Sequence, residues 1–122
     1  MSNQDLNQIL KNDPIVMTRN MPKSEALKGV TAGELVTMKE ATHSIEHKKY
    51  VEKSDGSFDI WLYGRNNDPI IFIPDVPLPE VLKVAMEGES ITQKGTTRMI
   101  ALKRYIEELD GTVTISLYTN EQ

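Results

Sequence analysis

The sequence contains no cysteine, which excludes disulfide bonds, thiolate metal sites and thiol nucleophiles. No apolar run approaches the roughly 20 residues that a membrane-spanning helix requires. Residues 1–5 also lack the basic and then apolar character of a secretory signal, so we expect a cytoplasmic protein. The chain has no Gly-rich phosphate-binding loop, no nucleophile elbow and no tight acidic cluster for magnesium. We therefore expect a protein that is not an enzyme and holds no cofactor.

The composition that remains is that of an ordinary globular protein. Of the 122 residues, 39% are hydrophobic and 26% are charged, which predicts one soluble, folded domain over residues 1–122. The formal net charge of −4 makes the chain as a whole a poor counter-ion for a phosphate backbone. Bulk charge therefore disfavours nucleic-acid binding, and we expect no membrane partner.

The clearest structural signal is a β-hairpin in the middle of the chain. Residues 58–63 and 70–73 are rich in β-branched and aromatic side chains, with turn-forming residues between them. A second turn signal at residues 54–56 adds residues 49–53 as a third strand. Residues 112–118 alternate between apolar and polar side chains, which predicts a half-buried edge strand.

Four other segments carry helix signals. The predicted helices cover residues 3–12, 32–47, 79–87 and 97–109. Thr31 and Glu34 have the spacing of a capping box ahead of the second helix. The apolar stripes of the second and fourth helices recur at intervals of three and four residues. These stripes are Leu35, Met38, Thr42 and Ile45, and Met99, Leu102, Ile106 and Leu109.

These elements predict an α+β fold. A small antiparallel sheet would contain the hairpin 58–63/70–73 and the C-terminal strand 112–118. The helices near 32–47, 79–87 and 97–109 would pack on that sheet.

Three residues of the first hairpin strand form a candidate partner-binding surface. If Phe58 faces the core, alternation along the strand places Asp59, Trp61 and Tyr63 on the opposite face. Two large aromatic side chains on that face need a cover. A helix of the same chain, a second copy in a homodimer, or a protein partner would each provide one.

Residues 43–47 spell H-x-x-E-H, the inverted zinc-peptidase motif. On a helix, His43 and His47 would lie one turn apart and would be weak candidate zinc ligands. A catalytic zinc also needs a third protein ligand, and the spacing of Glu80, Glu87 and Glu89 selects none of them. Two solvated histidines on an exposed helical face are the interpretation that we favour.

A group of basic residues suggests a second alternative, contact with nucleic-acid phosphates. Its members are Lys94, Arg98, Lys103 and Arg104. Glu107 and Glu108 follow Arg104 at helical spacing, so local ion pairs would compete with phosphate contacts.

Residues 101–111, followed by residues 112–117, resemble the closing helix, tight turn and strand of Xre-type, HigA-like antitoxins. Members of that family read operator DNA through a helix-turn-helix ahead of this segment and neutralise a toxin. The resemblance therefore implies a DNA-binding transcriptional repressor or antitoxin. Residues 79–99 do not follow the helix-turn-helix pattern, and no catalytic constellation is present. We accordingly favour a non-enzymatic regulatory or interaction protein of prokaryotic or phage type that acts through a protein partner, ahead of a repressor or a small zinc-dependent hydrolase.

Overall fold

The computed structural model describes residues 8–9, 11–14 and 17–120. Strands account for 46% of these residues and helices for 16%. The expectation of an α+β fold with a small sheet packed by several helices is therefore wrong, because strands outweigh helices and six of them form one large mixed sheet. The helix expected over residues 3–12 lies largely outside the described residues.

Eight strands form two sheets. The strands are β1 (Leu35–Met38), β2 (Ala41–Ser44), β3 (His47–Glu52), β4 (Phe58–Tyr63), β5 (Pro69–Val76), β6 (Ser90–Gln93), β7 (Thr96–Glu107) and β8 (Val113–Thr119). The first two make a small hairpin, and the other six form one sheet in the order β5-β4-β3-β6-β7-β8. Only the β3–β6 pair is parallel among the pairings of the described strands. The connection from β3 to its parallel neighbour β6 consists of β4, β5 and a short helix.

Two short α-helices that lie wholly within the described residues accompany the sheet. They are α1 (Lys23–Lys28) and α2 (Leu78–Val84), and one 3-10 turn spans Arg65–Asn67. The helix expected over residues 79–87 is confirmed as α2, although it ends at Val84. Pro77 precedes α2, and Pro79 lies in its first turn, where a missing backbone N–H costs no hydrogen bond. No helix in the described part of the chain is both long and apolar enough to cross a membrane.

The central hairpin is confirmed. β4 pairs antiparallel with β5 on one side and with β3 on the other, so residues 47–76 form the expected meander. The strand expected at residues 112–118 is also confirmed as β8, at the far edge of the six-stranded sheet.

The helix expected near residues 32–47 is wrong, because this segment forms the β1–β2 hairpin and the start of β3. Glu34 does accept the Thr31 backbone N–H at 2.9 Å, which is half of a capping box, but only a turn follows. Lys39 and Glu40 both adopt left-handed φ angles, 51° and 68°, and reverse the chain in two residues. Apolar spacings of three and four are therefore compatible with a short hairpin here.

The helix expected over residues 97–109 is also wrong, because this segment belongs to β7. Lys94 and Gly95, with φ angles of 50° and 80°, form a two-residue hairpin turn instead of a helix cap. β7 then pairs with β6 on one side and β8 on the other. The segment that resembles an antitoxin therefore forms a strand, a turn and a strand, with no closing helix.

One face of the six-stranded sheet carries the core. Phe58, Ile60 and Leu62 of β4 are fully buried there. Side chains from the β1–β2 hairpin, from the two helices and from the residues just after each helix pack against the same core. These are Val36, Leu27, Val30, Val81 and Ala85. We call this the inner face and the opposite side of the same sheet the outer face.

Candidate protein-binding surface

The outer face includes the three residues of β4 that strand alternation predicted to lie opposite the core. Asp59, Trp61 and Tyr63 are half-buried and alternate strictly with the buried residues of the strand. The structure therefore places all three on one side, as the sequence pattern indicates. Residues 32–47 and 97–109 do not form the helices that would have covered them.

Neighbouring strands extend this face around Trp61. Residues directly opposite each other in a ladder share a face, and Phe72 of β5 lies opposite Trp61. The two rings are tilted by 37° with their centroids 4.4 Å apart. Phe72 is nevertheless 47% exposed. Sequence analysis missed Phe72, because the apolar run at 70–73 does not reveal which residue pairs with Trp61.

The same row continues across the sheet to β7. Lys49 lies opposite Trp61, Ser90 lies beside Lys49, and Met99 lies opposite Ser90. Met99 is 53% exposed. The outer face thus carries a row in the order Phe72, Trp61, Lys49, Ser90 and Met99, with apolar side chains at both ends.

Beyond Met99 the outer face extends onto the outer half of the β7–β8 hairpin. A register shift between Ile100 and Leu102 inserts one residue, so Leu102 lies on the same side as Met99. Leu102 pairs with Tyr118, and both are exposed. The outer face therefore carries apolar side chains on β4–β5 and on β7–β8, with Lys49 and Ser90 between them.

Charged groups border the aromatic pair at one end. The Lys53 ammonium contacts the carboxylates of Asp59 and Asp75, and the Asp75 backbone N–H donates to Asp59 at 3.2 Å. At the other end of the strands, the rings of His47 and Tyr63 lie 6.0 Å apart. Asp59 is therefore held in an ion cluster at the rim, while Trp61 and Tyr63 form the apolar part of the surface.

The four basic residues proposed for phosphate contact do not lie on one surface. Lys94 lies in the β6–β7 turn, and Arg98 pairs with Ile91 on the inner side of the sheet. Lys103 donates hydrogen bonds to the carbonyl oxygens of Lys83 and Ala85, at 3.0 and 2.9 Å. Arg104 pairs with Ser116 on the other side of the hairpin. Lys103 therefore binds the C-terminal end of α2, and no shared basic stripe forms.

The two histidines of the H-x-x-E-H pattern lie on strands of different sheets. His43 is in β2, where it pairs with Val36, and His47 is in β3, where it pairs with Tyr63. The helix that would align their imidazoles is not formed. Within the described residues, no group of three or more His, Asp or Glu side chains is arranged to hold a metal ion.

A buried polar cluster on the inner face was not predicted. Lys48 and Tyr50 are completely buried, and Glu89 is 4% exposed. The Tyr50 hydroxyl donates to Glu89 Oε1 at 2.8 Å, and the Met86 N–H donates to the same oxygen at 2.9 Å. The Lys48 ammonium donates to the Lys28 carbonyl at the end of α1 and lies 5.2 Å from the centre of the Tyr50 ring.

Burial sets the titration behaviour of this cluster. It raises the pKa of the Glu89 carboxyl and lowers the pKa of the Lys48 amine, and the attraction between the two groups opposes both shifts. Burial also raises the pKa of the Tyr50 phenol, which keeps its donor proton. Glu89 Oε2 has no hydrogen-bond partner within the described structure. The three groups are closed off from solvent, so we assign them to stability and not to chemistry.

Two lysines therefore serve the same structural purpose. Lys48 binds the last carbonyl of α1, and Lys103 binds carbonyls at the end of α2. A cation at a helix C-terminus satisfies free carbonyl groups and interacts favourably with the helix dipole. Sequence alone does not reveal this, because each lysine is about 20 residues from its acceptor in the chain.

Comparison with known proteins provides no family for this chain. No family model, curated protein or solved structure matches it.

Proposed function

We propose that this chain is a non-enzymatic regulatory or interaction protein, of prokaryotic or phage type, that binds a protein partner through the outer face. The observation that carries the proposal is the Trp61–Phe72 pair. The two rings pack against each other on the side of the sheet opposite the core, and Phe72 remains 47% exposed. An aromatic pair of this kind provides a large, rigid contact area for a partner.

The surroundings of the pair define the chemistry of the partner. Met99, Leu102 and Tyr118 extend the apolar surface toward β8, and the Lys53 ion cluster closes one end. Interfaces commonly combine an apolar centre with a polar rim. We infer a partner segment with apolar side chains that lie along the row from Phe72 to Met99.

The residue composition of the outer face favours association with a partner over a surface that is simply exposed to solvent. Trp, Tyr and Met are enriched at protein interfaces, and a few buried aromatic anchors provide most of the binding free energy. Single exposed apolar residues are normal on a protein surface, but this face aligns several of them on two strand pairs, β4–β5 and β7–β8. The alignment, more than any one residue, supports a binding role.

The test compares outer-face variants with a matched variant on the inner side. The chain is cross-linked in its native host, and the proteins retained by the wild type, Trp61→Ala and Phe72→Ala are identified by mass spectrometry. Tyr105→Ala is the control, because Tyr105 is a 62% exposed aromatic on the other side of the β7–β8 hairpin. We expect one retained protein to be lost with both outer-face variants and kept with the control.

Direct binding then decides between a specific partner and nonspecific capture. The purified candidate is titrated into each purified variant by calorimetry, after circular dichroism has shown that the variant is folded. We expect Trp61→Ala to weaken binding by at least about 2 kcal/mol, as is typical of an anchor residue. A folded Trp61→Ala variant that binds every retained protein with wild-type affinity would refute the proposal.

A further inference from the structure

The two edges of the six-stranded sheet differ in how they are protected. β5 forms one edge and β8 forms the other. β5 contains Pro69 and Pro74, has two register shifts against β4, and places Asp75 at a left-handed φ of 59°. Prolines, bulges and charges on an edge strand prevent pairing with another chain. The β5 edge is therefore blocked.

The β8 edge lacks the prolines, the charge and the left-handed residue, and the one register shift in its ladder places the extra residue in β7. Its seven residues, VTISLYT, include no proline, no charge and no glycine. Within the described residues β8 forms a ladder with β7 alone, and no other backbone hydrogen bond involves residues 113–119. One side of its backbone is therefore open for pairing, and Val113 and Tyr118 beside it are exposed.

We propose that β8 pairs antiparallel with β8 of a second copy of this chain, about a two-fold axis at Ser116. A two-fold axis makes one strand its own partner, so the strand must be complementary to itself. With the axis at Ser116, Ile115 lies opposite Leu117 and Thr114 lies opposite Tyr118. Both pairs are favourable in β-sheets, and the absence of charge leaves no repulsion across the axis.

The pairing extends the sheet of each copy into one continuous twelve-stranded sheet. Leu102 and Tyr118 lie side by side in each copy, and the axis places the two pairs on the same face of the joined sheet, on either side of Ser116. Trp61 and Phe72 lie near the opposite edge, so the two proposed interfaces have only Leu102 and Tyr118 in common.

Ser116→Glu provides the sharpest test because it separates the monomer from the dimer. Within one copy, residue 116 lies opposite Arg104, so a carboxylate there finds a cation. Across the axis, two carboxylates would lie opposite each other and repel. We expect sedimentation velocity over a concentration series to show a wild-type dimer, and a dissociation constant raised about tenfold or more in the variant.

A complementary variant tests the position of the axis. Ser116→Lys should also weaken the dimer, and an equal mixture of the Glu and Lys variants should form a heterodimer at least as tight as the wild type. Ser54→Glu, an equal charge change in an exposed turn, is the control and should leave the dimer unchanged. A wild-type chain that remains monomeric at every concentration, or a dimer unaffected by Ser116→Glu, would overturn the inference. Trp61→Ala should not alter dimerisation, so this result is separate from the partner test.

Discussion

Replacing Tyr50 by Phe removes one hydroxyl group from the buried polar cluster and leaves the packing of the ring intact. The hydroxyl donates to Glu89 Oε1 at 2.8 Å, and both residues are almost completely buried. Without it, the carboxylate keeps only the Met86 N–H, because Oε2 has no partner in the described structure. A hydrogen bond to a charged group contributes about 1.5–3 kcal/mol, so we expect a loss of that size where the Glu89 carboxyl is ionised.

The stability that Tyr50→Phe removes should depend on pH, because the Glu89 carboxyl titrates. Burial raises the pKa of this carboxyl in the folded protein, and the Tyr50 hydrogen bond lowers it. The variant therefore holds the Glu89 proton more tightly than the wild type does. A folded-state pKa above the unfolded value means that stability is lost as the pH rises through the folded pKa. The Tyr50→Phe penalty should be largest above that pKa and fall to about 0.5–1.5 kcal/mol below it, where the hydrogen bond is between neutral groups.

Urea unfolding followed by circular dichroism, repeated over a pH series that starts at about pH 4, measures both effects, since the low end of the series lies below the raised pKa of the Glu89 carboxyl. Tyr105→Phe is the control, because this ring is 62% exposed and its hydroxyl lies outside the cluster. Its free energy of unfolding should stay within about 0.5 kcal/mol of the wild type. A Tyr50→Phe loss that is this small throughout the pH series, or constant across it, would contradict the assigned hydrogen bond between Tyr50 and Glu89.

Two further predictions concern the hairpin turn and the helix end. Glu40→Gly should raise the free energy of unfolding by about 0.5–1 kcal/mol, because Glu40 is strained at a φ of 68° and glycine is not; a urea titration that shows destabilisation would contradict the assigned turn. Lys103→Met should cost about 1–3 kcal/mol by removing two hydrogen bonds to the end of α2. Hydrogen exchange should then be faster in α2, and unchanged α2 exchange would contradict this structural assignment of Lys103.

Local signals explain the parts of the fold that the sequence predicted correctly. The β4 segment alternates between core-facing and outward-facing side chains, the β5 segment contains a continuous apolar run, and a clear turn separates the two. The signals agree over adjacent residues, so no distant contact is needed to interpret them. The short helix α2 likewise begins with prolines at positions that favour a helix start.

The two helix errors have a common physical cause. Lys39–Glu40 and Lys94–Gly95 form two-residue hairpin turns, but three of these four residues are ones that seldom adopt left-handed φ angles. The turns are therefore weak sequence signals, and the helical spacing of the flanking apolar residues appears stronger. Pairing with neighbouring strands makes these two segments extended, and local helix or strand propensity does not include that pairing.

The candidate surface was predictable only within one strand. Alternation in β4 places Asp59, Trp61 and Tyr63 on one face, but the register with β5 and β7 adds Phe72 and Met99. Register depends on bulges and turn lengths that the sequence does not show directly. The buried Lys48 was missed for a similar reason, since its hydrogen-bond acceptor lies 20 residues away.

Trp61 is the sole tryptophan of the chain, so it reports directly on whether a protein partner covers the outer face at this position. Labelling with 5-fluorotryptophan gives a single fluorine NMR resonance, which can be followed as the unlabelled partner is added. We predict that this resonance shifts on binding and loses its sensitivity to exchange of H2O for D2O. Binding that is complete by sedimentation while the resonance and its solvent sensitivity stay unchanged would contradict the account.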